Sequence, residues 1–275
     1  MLYAHINEKT AGSKLLLRDF ELRLNDGEKL GFIGRNGTGK TTLFRILLGL
    51  DNDFDGKLDI PKSAITMATM QEHHGIDGIS TLDYITSRLP KFSELKHIID
   101  TYPMTMGENT RMQTVFADAL QDFSDKGYYD VENEIQSLLS SYQLDHDVLS
   151  RDFSSLSGGQ KRLIDLVSIQ IGTPTIALLD EPTNHMDYIA KEVFIDWLKS
   201  TSCSCIVISH DRDVLQVVDR IIELRDYSSH SFNGNYDAYL VQNSVRTVGQ
   251  MQSFEKTEKR IENIKEQIRY AKIKA

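Results

Sequence analysis

Residues 34–41 read GRNGTGKT. Few eight-residue stretches restrict a fold as tightly. An apolar run, LGFI at 30–33, leads in, and TTLFRILLGL leads out with Leu43, Ile46, Leu47 and Leu50 on one helical face. The spacing predicts a strand, a glycine-rich turn and a helix in immediate succession. Such a unit packs its helix against a mostly parallel sheet, so the chain reads as an α/β protein.

The residue types in that turn also predict chemistry. Glycine allows consecutive backbone N–H groups to face inward, and those donors with the helix N-terminus form a cradle for phosphate oxygens. The pattern is that of a P-loop, with Gly34, Asn36, Gly37, Thr38 and Gly39 as the cradle. Lys40 is placed to reach the β- and γ-phosphates, the Thr41 hydroxyl to bind Mg²⁺, and Thr42 to touch the α-phosphate. A second metal contact is required, and TIALLD at 175–180 supplies it in Asp180 at the end of an apolar strand. Glu181 follows at once, a general base for the attacking water. Pro182 then stops strand pairing.

The rest of the chain alternates between two characters. Residues 1–71 and 151–247 carry strand and helix patterns of an α/β core, including helices at LSGGQKRLIDLVSIQI, YIAKEVFIDWLKS and DVLQVVD and a strand at CSCIVISH, with RIIELRD near the end of the core. Residues 72–150 read as an inserted helical subdomain with helices at TLDYITSRL, KFSELKHIID, TRMQTVFADALQDF and DVENEIQSLLSSY, separated by YPMTMG and SDKGYY. That insert holds 14 acids against 5 bases, which accounts for the whole net charge of -9. A general electrostatic grip on nucleic acid is therefore not expected, and RNA contacts must come from local patches. From about Val248 one charged helix follows, with Phe254, Ile261, Ile264, Ile268 and Ala271 on a heptad seam. No apolar run approaches the roughly 20 residues of a membrane span, and the N-terminus is too charged for a signal peptide. Cys203 and Cys205 read as reduced core residues. A cytoplasmic protein is expected.

At LSGGQ, Leu156–Gln160, the order of motifs resembles an ABC ATPase cassette over almost the whole chain. The resemblance implies that Gln71, after a strand, senses Mg²⁺ and the attacking water. It implies that Ser157, Gly158, Gly159 and Gln160 close over ATP held by a second cassette. Asp187 then couples the two sites across that interface, and His210 in VISHD contacts the γ-phosphate. One position departs from the pattern. The segment KTAGSK, where the family stacks an aromatic on adenine, has none, and Tyr3 is the nearest substitute.

Within the family, NHMD after Glu181-Pro182-Thr183 resembles the ABC-F group of ribosome-acting translation factors more than transporter cassettes. FNGNYDAYL at 232–240 is similar to that group's signal near the end of a first cassette. The insert sits where ABC-F proteins carry an arm, and the helix from 248 resembles the start of an inter-cassette linker. The resemblance implies ATP and Mg²⁺ as ligands. It also implies a second cassette or a homodimer, and ribosomal RNA, ribosomal protein or tRNA as partners through arm and linker. The alternative is the ATPase subunit of a membrane transporter.

Overall fold

In the first two strands every second residue turns inward. Leu2, Ala4 and Ile6 of β1 (Leu2–Ala11) and Phe20, Leu22 and Leu24 of β2 (Lys14–Leu24) are buried. Their outward neighbours are polar or half-exposed, which is the period of a sheet with one wet face. With β4 (Asp55–Asp59) these strands form an antiparallel sheet in the order β2-β1-β4. The structure is a computed structural model that describes residues 1–69, 76–184 and 186–246. Gln71, His185 and the helix expected from 248 lie outside the described residues.

The second sheet has the order β5-β6-β7-β3-β8-β9. Its strands β5 (Thr66–Ala68), β6 (Ile176–Asp180), β7 (Ser204–Ile208), β3 (Lys29–Gly34) and β8 (Arg220–Arg225) run parallel, and β9 (Ser228–Asn233) closes one edge antiparallel to β8. Parallel strands are covered on both faces, so β6 and β7 are apolar at nearly every position. Ile176, Leu178, Ile206 and Ile208 face a core shared with the first sheet and with α1 (Lys40–Leu47), which contributes Leu43, Phe44, Ile46 and Leu47. Ala177, Leu179, Cys205 and Val207 face the opposite core, built with helices. Both cysteines are free and buried, as expected.

That second core joins α6 (Gly158–Gly172) and α7 (Tyr188–Ser200) to a helical layer of α2 (Thr81–Arg88), α3 (Phe92–Thr105), α4 (Thr110–Asp125) and α5 (Val131–Ser141). Side-chain caps start two of these helices: Ser80 accepts from the Asp83 amide and Asn109 from the Met112 amide. Phe92, Phe123 and Tyr128 lock α3 to α4, with ring centroids 5.2–5.5 Å apart. The layer's entry and exit are tied together, because Ser80 and Asp152 form a β-bridge and Phe153 N–H donates to the Ile79 carbonyl.

Two helices differ from the sequence expectation. The segment YPMT continues α3 through Pro103 rather than breaking it. Pro103 lies near the helix's end and removes a single ladder bond there, while Thr101 and Thr105 hydroxyls donate back to carbonyls one turn earlier. The helix expected at DVLQVVD is a single turn, α8 (Arg212–Leu215), capped by Asp211.

Lys29 starts the strand that delivers the glycine turn, and it is buried. Its ammonium donates to the carbonyls of Gly27 (2.8 Å), Thr201 (2.8 Å) and Cys203 (2.9 Å), while its amide donates to Asp219 Oδ2 (2.8 Å). All three ammonium protons are used, so the charge is solvated by backbone. Lys29→Met leaves those carbonyls without a donor. It is expected to cost about 1–3 kcal/mol in urea unfolding, with the phosphate site itself intact. An unchanged unfolding midpoint would refute this account of the clamp.

Candidate functional site

Three parallel strands end side by side, and each delivers one part of the site. The register pairs Asp180 of β6 with Ile208 of β7, and Ile208 with Phe32 of β3. The glycine turn therefore follows β3, the acid pair ends β6, and Ser209-His210 follow β7 at the same edge. Open α/β sheets bind ligands in the crevice outside the carboxyl ends of their strands.

The turn closes tightly on the sheet. A Cβ on Gly34 would lie 2.7 Å from the Leu224 carbonyl oxygen, so only glycine fits beside β8. Thr38 Oγ1 donates to the Arg35 carbonyl at 2.9 Å, and Gly39 takes a left-handed conformation (φ 97°) that opens α1. Lys40 Nζ folds back along the turn, donating to the carbonyls of Gly34 (2.6 Å) and Arg35 (3.2 Å). Burial pushes the Lys40 pKa below its ordinary value, against the opposing pull of Glu181 and Asp180.

The acid pair is held from its backbone. Asp180 N–H donates to Thr69 Oγ1 (2.8 Å), and Asp180 Oδ2 accepts from Thr41 Oγ1 at 3.4 Å. Glu181 has a left-handed backbone, φ 46°, which is uncommon for a residue with a side chain. Three hydrogen bonds fix it there: its N–H donates to the Ile208 carbonyl (2.8 Å), and Arg162 Nη1 and the Asn184 N–H both donate to its carbonyl (3.2 Å each). Its carboxylate Oε1 lies 3.5 Å from His210 Nε2. Burial raises the Glu181 pKa above the ordinary carboxylate value, with His210 opposing.

Between turn and acids lies an open cleft of ≈ 520 Å³. Asn36, Gly37, Gly39, Lys40, Thr41, Thr42, Asp180 and Glu181 line it, which gathers eight of the residues expected from sequence. Its outer wall is Ala11, Lys14 and Leu16 of the β1–β2 hairpin. None of the described residues lining the cleft is aromatic. Tyr3 stands eight residues from Ala11 along β1, roughly 25 Å of extended chain, and lies under the Arg23 guanidinium at 5.4 Å from its ring centroid. It forms no part of this cleft.

Two expected groups stand apart from the lining. Ser157 and Gln160 form a capping box at the start of α6: Gln160 N–H donates to Ser157 Oγ at 3.3 Å and Ser157 N–H to Gln160 Oε1 at 3.1 Å. Gly158 follows Ser157, and a Cβ there would meet nothing within 4 Å. Asp187 caps α7 by accepting from the Ala190 amide at 2.8 Å. Sequence reasoning missed Thr69, Arg162 and Leu16, while it singled out KTAGSK, the segment that holds Ala11 and Lys14. Thr69 and Arg162 act through hydrogen bonds to backbone, and no residue pattern announces those.

A family model described as ABC transporter matches residues 17–184, and a second with the same description matches 222–275. The ATP-binding protein YdiF of Bacillus subtilis is 30% identical over 275 residues, spanning 97% of this chain and 43% of YdiF. ABC transporter F family member 5 of Arabidopsis thaliana is 28% identical over 84% of the chain and 28% of its own length. The energy-dependent translational throttle protein EttA of Mycobacterium tuberculosis is 26% identical over 92% of the chain and 46% of its own length. The chain thus spans less than half the length of the curated relatives it matches. In fold it is similar to a solved ATP binding subunit of an ABC transporter, with TM-score 0.63 at 16% identity over 90% of this chain and 94% of that one.

The wall of the cleft generates one expectation. A nucleobase there meets aliphatic carbon and the Lys14 stem rather than a ring face. Ala11→Tyr supplies a ring and is expected to tighten ATP about tenfold while leaving inorganic tripolyphosphate unchanged. Calorimetric titration of both ligands checks it. Equal tightening of both would contradict this placement of the base.

Proposed function

The chain belongs to the ATP-binding cassette family and, within it, to the ABC-F type, and from that footing we propose that it binds and hydrolyses MgATP as a nucleotide-gated factor acting on the ribosome. The observation that carries the ATPase part is the meeting of Lys40, Thr41, Asp180, Glu181 and His210 at one sheet edge. The backbone of Gly34–Lys40 and the Lys40 ammonium cradle the phosphates. Thr41 and Asp180 offer two hard oxygen donors 3.4 Å apart. Mg²⁺ suits such a pair because it keeps waters and phosphate oxygens as its other ligands. Bound there, the ion would neutralise charge on the β- and γ-oxygens.

Glu181 accepts the proton of the attacking water. A half-buried carboxylate with a raised pKa is a stronger base than a solvated one. His210 orients it from 3.5 Å and faces the γ-phosphate position. The strained backbone at Glu181 holds the carboxylate rigidly, so little reorganisation is needed during the step.

Closing the site is the task of a second cassette, in the longer protein or in a homodimer. Ser157–Gln160 and Asp187 are the surfaces we assign to it. Gly158 supports this assignment, because nothing among the described residues comes within 4 Å of where its Cβ would stand. Its bare backbone, at a helix N-terminus, leaves room for a γ-phosphate brought by a partner. Gln71 is assigned to the Mg²⁺ and water by resemblance alone.

The ribosomal role rests on likeness to EttA, whose name describes a translational throttle. Among the described residues no helix is long and apolar enough to cross a membrane. We assign 72–150 as the arm and 248–275 as the start of the linker, the core being 1–71 and 151–247. The acidic arm favours a basic ribosomal protein over bare RNA. The cytoplasm is the compartment this requires.

Glu181→Gln is expected to keep ATP binding and lower turnover by about a hundredfold or more. Loaded with ATP, it is expected to pellet with ribosomes where the wild type does not persist. Wild-type turnover in this variant would refute the assigned base. Failure to pellet with ribosomes, with ATP retained, would refute the translational role alone and favour a transport subunit. The pH profile provides a further check. A raised folded pKa means that Glu181 loses its base form at a pH above the ordinary carboxylate value of about 4.3. Turnover should therefore fall on the acid side above that value. Stability moves oppositely across this window, decreasing as pH rises from the unfolded to the folded pKa. An acid limb at or below the ordinary value would count against the burial effect.

A further inference from the structure

We propose that Arg88 is a positioning residue that couples the seating of the helical layer to both acids of the ATP site. The inference rests on the ATPase reading above and adds to it how a partner on the helical layer would reach the chemistry.

Arg88 ends α2, and its guanidinium faces two elements at once. Nη1 is paired with Asp165 Oδ1, and Nη2 donates to the Ala68 carbonyl. Asp165 is fully buried in the middle of α6, and the Arg88 side chain is 15% exposed. Tyr84, one turn earlier on α2, donates its hydroxyl to the same Asp165 oxygen at 2.6 Å. Its ring stacks on Phe153 with centroids 3.8 Å apart, four residues before Ser157. Four groups from the helical layer, the β5 strand and the α6 segment therefore meet in one buried network.

Each branch ends at the acid pair. Ala68 is followed by Thr69, whose hydroxyl accepts the Asp180 N–H at 2.8 Å. Asp165 lies one turn along α6 from Arg162, which donates to the Glu181 carbonyl at 3.2 Å. A shift of α2 relative to the sheet thus moves Asp180 through one branch and Glu181 through the other. The planar fork of arginine is what permits both bonds at once, and a lysine ammonium on a flexible stem would not hold both. A buried charge pair is a poor source of stability compared with apolar packing, so its occurrence here calls for another role. Both bonds, made at once in a water-poor setting, give a continuous joint between α2, α6 and β5 of the kind through which coupling can travel.

The test uses amide hydrogen exchange on the whole chain with and without MgATP. In the wild type, ATP is expected to slow exchange at the P-loop and, about threefold or more, across Thr81–Arg88. Arg88→Lys is expected to keep the P-loop protection and an ATP Kd within about twofold, yet to lose the effect on Thr81–Arg88. The apolar replacement Tyr84→Phe/Arg88→Met/Asp165→Leu, which removes these three polar side chains together, is expected to keep the fold and give the same result. A structural role alone would raise exchange equally in both states and leave the ATP-dependent difference standing. Persistence of that difference in both variants overturns the proposal, as does its absence from the wild type when the P-loop is protected. Absence of P-loop protection in every chain removes the ATP reading itself, and the coupling with it.

Discussion

The parallel register of β3, β7 and β6 is the constraint on which the rest depends. Asp180 stands level with Ile208, and Ile208 with Phe32. A slip of one residue would turn every side chain of a strand to the wrong face and carry its terminal group away from its neighbours. Burial on both faces makes that slip prohibitive. Leu178 and Ile206 fill one core, and Leu179 and Val207 fill the other. The chemistry is thus set by apolar packing beneath it. Glu181, the base proposed above, costs the fold some backbone strain.

Around this edge the polar groups divide between use and support. Side chains that can meet phosphate or water project into the cleft, while backbone groups behind them are saturated. Thr69, Arg162 and Lys29 each place a side chain on a backbone group of another segment. Such bonds hold loops in register at the point where the sheet ends and secondary structure no longer satisfies the backbone. They also explain how a site on loops achieves the precision of one on strands.

Much of this was legible in the sequence because local chemistry coincided with local structure. GRNGTGKT needs its glycines for conformation, and Gly34 is pressed against β8 as that reading requires. TIALLD and CSCIVISH are apolar at every core position, and they are the central parallel strands. The helical block at 81–142 was readable from its periodicity, apart from Pro103, where tertiary packing and hydroxyl bonds outweighed a breaker signal. Long-range pairs were not readable. Nothing in TLDYITSR announces that Arg88 seeks a carboxylate on another helix, and Asp165 interrupts an apolar helix face without stating its partner. The outer wall of the cleft was half readable: the absence of an aromatic in KTAGSK was plain, but the lining by Leu16 and Lys14 depends on how the hairpin folds over the turn.

The capping box at Ser157 and Gln160 has a kinetic consequence. The Ser157 hydroxyl already serves the Gln160 amide and the Gln160 side-chain oxygen serves the Ser157 amide, so a phosphate arriving there, as the proposed function requires, would compete with groups the helix supplies for itself. A cap of this type is worth about 1 kcal/mol, which sets a threshold of roughly fivefold in affinity for whatever displaces it. On the function proposed above, the box would act as a filter against idle association, and its re-forming would assist release.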